Sequence, residues 1–428
     1  MDSLVDRWQQ QLARCIRCGT CRSVCPVFRE TGNESATARG KVKLIDAVVR
    51  GQLELTPGLA ERMSRCLLCK ACASGCPSGV RTDELFLTAR GALAERNGLP
   101  IAKRLAFTGL GYRRLFHLGL RMGAVFQRVA FREAPGGRGF VPRVPLPSAG
   151  LHQRRVIPRL ARKPLPVRLR GLAPLAKPRA TVAFFPGCML TYVYPEAGEA
   201  VVEVLRANGV EVVVPEALFC CGTPAFTSGD VAAGRHLAAR NVATLAAQRC
   251  DAIVTGCASC GEALQHGYGL LVEDRATRER WEELSGKVRD VSEYLALIGP
   301  SAPVGRVAAR VTYHDPCHLV RGMGVSREPR ELLRSIPGVE LVELKDAARC
   351  CGSGGTFSLA HYELSRAIND AKLDDAEKTG AEILVTGCPA CRMHITDGLV
   401  QRGSGMQVVH TAELVARAYR AARGGGAC

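Results

Sequence analysis

The sequence predicts an α/β protein in which a helical N-terminal module precedes two copies of one strand–helix half. Three observations carry that prediction. Eight of the 20 cysteines form two identical runs within the first 80 residues, and ten more repeat at offsets of 129 to 131 residues. Between these groups, residues 101–180 hold 18 Lys or Arg against one acid, Glu133, which accounts for +17 of the formal net charge of +18. With 428 residues, 47% of them hydrophobic, the chain is long enough for about three domains of roughly 150 residues each. No uninterrupted apolar run has the length of a membrane span, and Met1 to Arg14 lack the basic-then-apolar pattern of an export signal. A cytoplasmic location is therefore expected, where cysteines serve metal or redox chemistry rather than disulfides. Histidine is scarce, with nine residues, so metal sites must rest on thiolates: iron–sulfur clusters or four-cysteine zinc.

The first element is the module at 1–100. Cys15, Cys18, Cys21 and Cys25-Pro26 follow C-x2-C-x2-C-x3-C-P, and Cys66, Cys69, Cys72 and Cys76-Pro77 repeat it. This is the run of two-cluster bacterial ferredoxins, in which the fourth cysteine serves the other cluster. Three closely spaced thiolates can cap three corners of a cubane, and the fourth is turned away by its proline. Cys15, Cys18, Cys21 and Cys76 are thus expected to hold one [4Fe–4S] cubane, and Cys66, Cys69, Cys72 and Cys25 a second. Zinc would ask for two C-x2-C knuckles instead. Forty residues separate the runs, and the apolar spacing of Val42, Ile45 and Val49 predicts a helix over Ala38–Val49. Further helices are expected at Gly58–Arg65 and Thr82–Arg96, making a helical ferredoxin module. Arg39-Gly40-Lys41 begins the first of these helices, beside a cluster or a partner, or simply in solvent.

The second element is the basic stretch 101–180. Leu115, Leu118, Met122, Val125 and Val129 form an apolar stripe at helical spacing, flanked by Arg114, Arg121 and Arg128. Such a helix can lie on an anionic membrane, or pack on its own protein with its arginines solvated. No base-reading motif or aromatic stacking platform accompanies the charge, so no nucleic-acid partner is expected. Nine prolines at 135–180 make this a linker that wraps another surface or lies exposed.

The third and fourth elements are the duplicated halves, 181–305 and 306–428. Cys188, Cys220-Cys221-Gly222 and Cys257-Ala258-Ser259-Cys260 recur as Cys317, Cys350-Cys351-Gly352 and Cys388-Pro389-Ala390-Cys391. Of the two cysteines left over, Cys250 is expected in the core and Cys428 at a loose terminus. Strands are expected at Thr181–Phe185, Val210–Val214 and Ala252–Thr255, with a helix at Glu196–Asn208; Val311–Tyr313, Val339–Leu344 and Ile383–Thr386 repeat the strands. In a parallel, Rossmann-like sheet the loops after the strands gather at one edge, where ligands bind. Gly187, Gly222, Gly256, Gly352 and Gly387 suit tight loops there. Five thiolates per half exceed what a cubane needs, pointing to an unusual cluster or exchangeable coordination. A strained Cys350-Cys351 disulfide, or zinc on four thiolates of one half, are the alternatives. His314 and His318 flank Cys317 as hydrogen-bond donors behind ligands, as catalytic acids, or as ordinary loop histidines.

Together these features resemble the glycolate oxidase iron–sulfur subunit family. The resemblance spans nearly the whole chain: both ferredoxin runs, Ala38-Arg39-Gly40-Lys41, Cys76-Pro77-Ser78-Gly79-Val80, and both Cys-Cys-Gly repeats. The same repeats occur in heterodisulfide reductase subunits and in the third subunit of anaerobic glycerol-3-phosphate dehydrogenase. The resemblance implies an electron-transfer subunit of a flavin-dependent 2-hydroxyacid (glycolate or D-lactate) dehydrogenase complex. It implies an FAD-containing partner, a quinone or another membrane redox partner as acceptor, and a peripheral place on the inner face of the cell membrane. It also implies one or two further [4Fe–4S] clusters, cubane or noncubane, at the Cys-Cys-Gly motifs. The alternative function is disulfide reduction at those motifs, as in heterodisulfide reductases; a zinc-stabilised scaffold is a third. The residues agree with a relay: with no G-x-G-x-x-G and no P-loop, the chain lacks a dinucleotide fingerprint and is expected to be inactive on substrate alone.

Overall fold

The computed structural model describes residues 2–145, 152, 154–218 and 220–424; Cys428 lies outside them. Helix-period apolar residues of the first hundred positions form the helices Asp2–Ala13, Ala38–Val49, Pro57–Ser64 and Thr82–Asn97. Two of these starts are written in the sequence. Thr37 accepts a hydrogen bond from the Gly40 amide, and Thr56 accepts one from Leu59 with Pro57 at the first helical position. Trp8, Val42, Ile45, Met63, Leu85 and Phe86 close the module's core. The Trp8 indole N–H donates to Thr88 at 2.8 Å, so the buried ring leaves no polar atom unpaired.

The basic stretch forms helices Ile101–Gly111 and Arg113–Ala130, then a hairpin of β1 (Phe131–Glu133) and β2 (Phe140–Pro142). Phe107 and Leu110 pack on Tyr192, Cys220 and Leu237 of the first half. The apolar stripe does not pack on the protein: Leu118, Met122, Val125 and Val129 are 55–72% exposed, and Phe126 joins them. The side chains of Arg114 and Leu115 lie outside the described residues. The opposite face is anchored by buried Gln127, which donates to the Pro158 carbonyl and accepts from the Leu160 amide. Beyond the hairpin the chain wraps both halves. Arg155 is 5% exposed and donates to the Ser358 carbonyl, the Val156 amide donates to Asp397, and Leu165 is buried over Gly198.

Each half contains a four-stranded parallel sheet. The first has the order β4 (Val210–Val213), β3 (Ala180–Phe184), β5 (Ala252–Thr255), β6 (Val288–Asp290). The second repeats it as β8 (Val339–Leu341), β7 (Ala309–Tyr313), β9 (Ile383–Thr386), β10 (Gln407–His410). Expected strands appear within a few residues. The exception in length is β8, expected to reach Leu344. Val342 still donates to Val311, but Asp375 then captures the amides of Lys345 and Asp346 and turns the chain. The edge strands β6 and β10 were not anticipated. Inner strands such as Ile383–Thr386 are buried on both faces, which is why they read as unbroken apolar runs. Both hydrophobic cores contain residues of both halves, and helix Pro195–Ala207 of the first half packs on Thr411–Gly424 of the second.

Candidate metal centres

The two ferredoxin runs fold into loops of the same shape. Arg17 and Leu68, at matching positions, both take positive φ (58° and 51°), as do Gly19 and Lys70 (86° and 61°). A left-handed lysine or leucine is strained, and such strain persists where the surroundings enforce it. Lys70 is held by Asp83 at 3.3 Å and by Glu262 of the first half.

These loops line two adjoining small cavities. Cys15, Cys18, Cys21 and Cys76 line one, and Cys25, Cys66, Cys69 and Cys72 line the other, with Cys72 reaching the border of both. The fourth cysteine of each run thus sits with the other run's triplet. Amides turn toward sulfur at 3.4 Å, Leu68 to Cys66 and Val80 to Cys76, an arrangement that favours thiolates. Thr20 hydrogen bonds hold Cys18 below the usual thiol range, whereas burial pushes Cys25 up to about 11 and raises Cys72. Crowded buried thiols of this kind lose their protons readily only to a metal.

Two cations, one buried and one half-buried, stand behind the second cavity. Lys41 is fully buried and its ammonium donates to the Ala36 carbonyl. Arg90 donates to the carbonyls of Cys66 (2.6 Å), Met63 and Thr227 (both 2.7 Å). Burial disfavours the charge on each, and Cys66 favours it. Neither forms an ion pair among the described residues. Lys41 therefore sits at a thiol cluster rather than in solvent.

The ten remaining motif cysteines line one cavity of about 130 Å³ between the two halves. Cys188 and Cys317 follow β3 and β7, the Cys-Cys-Gly pairs lie in the loops after β4 and β8, and Cys257 and Cys388 cap the helices after β5 and β9. The two caps have nearly identical backbones, φ/ψ −138°/108° and −138°/116°. Gly187 (φ 61°) is needed here, since a Cβ would lie 2.7 Å from the Cys260 sulfur. Gly352 (φ 89°) is likewise confined, by the Ser365 carbonyl; Gly256 and Gly387 have no positive φ. All described cysteines are free thiols, Cys350 and Cys351 included, and Cys250 lies partly buried against the core. In each half the second member of the pair is held low, Cys221 by a hydrogen bond from Cys220 and Cys351 by one from Cys350, while Cys260 and Cys391 are raised by their hydrogen bonds to Cys221 and Cys351 and by burial.

The second ferredoxin cavity meets this larger one. Leu67 and Leu68 line both, and Cys69 interacts with Cys350, which together with burial raises its pKa. His318 lies against the Leu68 carbonyl at 3.3 Å. His314 is fully buried, with the Ala347 carbonyl beside its ring and no well-formed hydrogen bond at either nitrogen. Sequence reasoning missed Arg90 and the hydroxyls that touch sulfur: Thr20 on Cys18 (3.4 Å) and Thr223 on Cys221 (3.1 Å). Their signal was available, because Cys-Gly-Thr stands at both 18–20 and 221–223.

Known families match these regions. Residues 11–80 match a 4Fe-4S dicluster domain, and residues 182–265 and 311–396 each match a cysteine-rich domain. The chain is 32% identical to the probable glycolate oxidase iron-sulfur subunit of Bacillus subtilis (strain 168), over 95% of this chain and 94% of that one. It is 27% identical to a subunit of the dihydromethanophenazine:CoB–CoM heterodisulfide reductase of Methanosarcina barkeri (strain Fusaro), over 95% and 94%. Lactate utilization protein A of Geobacillus sp. (strain WCH70) is 33% identical over 55% of this chain and 98% of its own.

Proposed function

The chain belongs to the family of the glycolate oxidase iron–sulfur subunit, and from that premise we propose that it carries electrons from a flavin-containing partner to an acceptor at a membrane. The observation that carries this reading is the unbroken series of thiol-lined spaces. It runs from exposed Cys18, through Cys72 shared by two cavities, to Cys69 against Cys350 and the ten-cysteine cavity.

The donor sets fit iron–sulfur groups: dense thiols, half-buried in the module and mostly buried between the halves, with inward amides and cations behind them. Cys15, Cys18, Cys21 and Cys76 would hold one [4Fe–4S] cubane, and Cys25, Cys66, Cys69 and Cys72 the other. Cys188, Cys220, Cys221, Cys257 and Cys260, and Cys317, Cys350, Cys351, Cys388 and Cys391, would hold one or two further groups. These would be [4Fe–4S] clusters, cubane or noncubane, with zinc as the competitor in one half. When loaded, such groups exchange single electrons, whereas a 2-hydroxy acid gives up two together, which a flavin can accept and release singly. The chain's own residues exclude water, hold thiolates through amide and threonine hydrogen bonds, and place cations where negative charge gathers.

The same reading divides the chain at 100, 180 and 305, and takes 181–428 as one duplicated Rossmann-like half. It assigns the exposed stripe Leu118, Met122, Val125, Phe126 and Val129, with Arg121 and Arg128, to an anionic lipid surface. No acid occurs between 101 and 132, so charge complementarity favours lipid headgroups. No helix among the described residues is long and apolar enough to cross a membrane. A quinone is the acceptor chemistry that such a surface would deliver. The second reading, disulfide reduction, is favoured by one observation: the ten thiols enclose a single space between the halves rather than two separate ones.

Three measurements test this. The chain prepared anaerobically should contain at least about eight irons, and mostly zinc would defeat the cluster reading. Cys76→Ser should damage the cluster of Cys15, Cys18 and Cys21, while Cys72→Ser damages the other; identical EPR losses would contradict the crossed ligand sets. The isolated chain should not oxidise glycolate or D-lactate, and a complex with its flavoprotein should reduce quinone at their expense. Turnover of a disulfide substrate, with no flavoprotein co-purifying, would favour the second reading.

A further inference from the structure

The two halves present the same five thiols but not the same neighbours. Phe185 follows β3, three residues before Cys188; His314 follows β7, three residues before Cys317. Both are 0% exposed, so the position is satisfied by an apolar ring and packing does not require a histidine. The His314 backbone is fixed by its amide, which donates to the Val385 carbonyl at 2.9 Å. Its ring sits in the interior with the Ala347 carbonyl beside it and no well-formed hydrogen bond at either nitrogen, an arrangement that is unfavourable unless something else meets them. What lies in reach is sulfur. A ring nitrogen of His314 and the sulfurs of Cys351 and Cys391 all lie within 4.8 Å of one another. That is a span one metal ion can bridge, because Fe–N and Fe–S bonds of about 2.0–2.3 Å leave donor atoms closer than this to each other. The other members of the five-thiol set line the same cavity.

We propose that His314 is a ligand to the metal group of the second cysteine-rich site, which is therefore built from thiolates and one imidazole nitrogen, whereas the first is built from thiolates alone. An imidazole in place of a thiolate removes negative charge from a cluster and raises its potential, as in two-histidine [2Fe–2S] centres. The site that meets the ferredoxin module through Cys69 is then the more easily reduced of the two, and the duplication has produced two unlike stations from one frame.

The inference rests on the reading that the second half holds an iron–sulfur group, and its test separates the two. The full chain is labelled with 15N-histidine, purified anaerobically with its native clusters, and studied by pulsed EPR beside His314→Phe, the residue its twin position carries. A 15N coupling of the strength of a bound imidazole is expected in the unmodified chain. It should be lost in His314→Phe, with the ferredoxin signals retained. A loaded second site with no such coupling, or with only a weak coupling through a hydrogen bond, overturns the inference and spares the reading. So does a coupling that persists in His314→Phe, since it would then belong to His318 or another ring. Iron content that stops at the two cubanes overturns both. Should His314→Phe fail to accumulate, His314→Gln serves as the comparison, read by the same loss of coupling.

Discussion

The two cysteine-rich halves share strand order, thiol spacing and helix-cap geometry, yet they are joined to the rest of the molecule by different sets of contacts. The first half is fastened to the ferredoxin module by charge. Lys70 reaches Glu262, and Arg90 bonds Cys66 on one side and Thr227 on the other. It also carries the basic helices, through Phe107 and Leu110. The second half is joined by sulfur and ring, Cys69 to Cys350 and His318 to Leu68, and by more exposed ion pairs, Arg29 with Asp346 and Arg349 with Glu30. Duplication has kept the frame that gathers thiols and let everything around it diverge. In the proposed relay the ferredoxin module meets the second half first, where Cys69 lies against Cys350.

The largest expected effect breaks the charge fastening. Lys70, Asp83 and Glu262 keep only 8–13% of their side-chain surface exposed. Lys70→Met should cost about 3–5 kcal/mol, because Glu262 would remain buried without its cation and Asp83 would keep only the more exposed Arg81. Calorimetry of the loaded chain should show the loss, and a change below about 1 kcal/mol would mean that the link is screened like a surface pair.

A second test asks whether the halves differ in function as in contact. Cys350→Ser, beside Cys69, should slow electron exit from the ferredoxin clusters by at least the ~10–100-fold typical of changes around metal sites. Its twin, Cys220→Ser, should leave that step intact and slow only later turnover. Stopped-flow reduction by the flavoprotein partner distinguishes them, and equal slowing would erase the proposed order.

The smallest effect concerns the exit side. Replacing Arg121 and Arg128 by Gln should weaken binding to anionic vesicles by about 1 kcal/mol per residue. Raised salt should imitate the change, and neutral vesicles should not respond. Binding that is unaltered would assign the exposed stripe to a protein instead.

Much of this comparison was legible in the sequence, and the limits are physical. Helix Ala38–Val49 and strands Ala252–Thr255 and Ile383–Thr386 lie where their apolar patterns put them, because periodicity and a threonine cap are local signals. The edge strands Val288–Asp290 and Gln407–His410 were not, since three or four residues with a charged or polar member carry no period. Thiol spacing pointed to the pairing of Cys76 with the first triplet and Cys25 with the second, the grouping in which they line the two cavities. No local signal marks Lys41 as fully buried, because lysine is almost never so. Nor does one of many arginines announce itself as Arg155, wedged on the second half. His314 was visible as a residue, but its burial beside Cys351 and Cys391 is a property of the folded surroundings alone.

Lys41 and Arg90 carry a consequence for assembly. Lys41 is an interior cation and Arg90 a half-buried one; the partners of both are backbone carbonyls, and both feel Cys66. An empty chain would strand the Lys41 charge in a low-dielectric interior, at a cost of several kcal/mol. The anionic cluster is the counter-ion that the fold omits. Filling the site is then the last step of folding rather than a later decoration. Empty copies should hold the N-terminal module loosely enough for a protease to open between residues 26 and 65, and filled copies should resist. A cell could thereby discard chains without iron before they occupy a place in a complex.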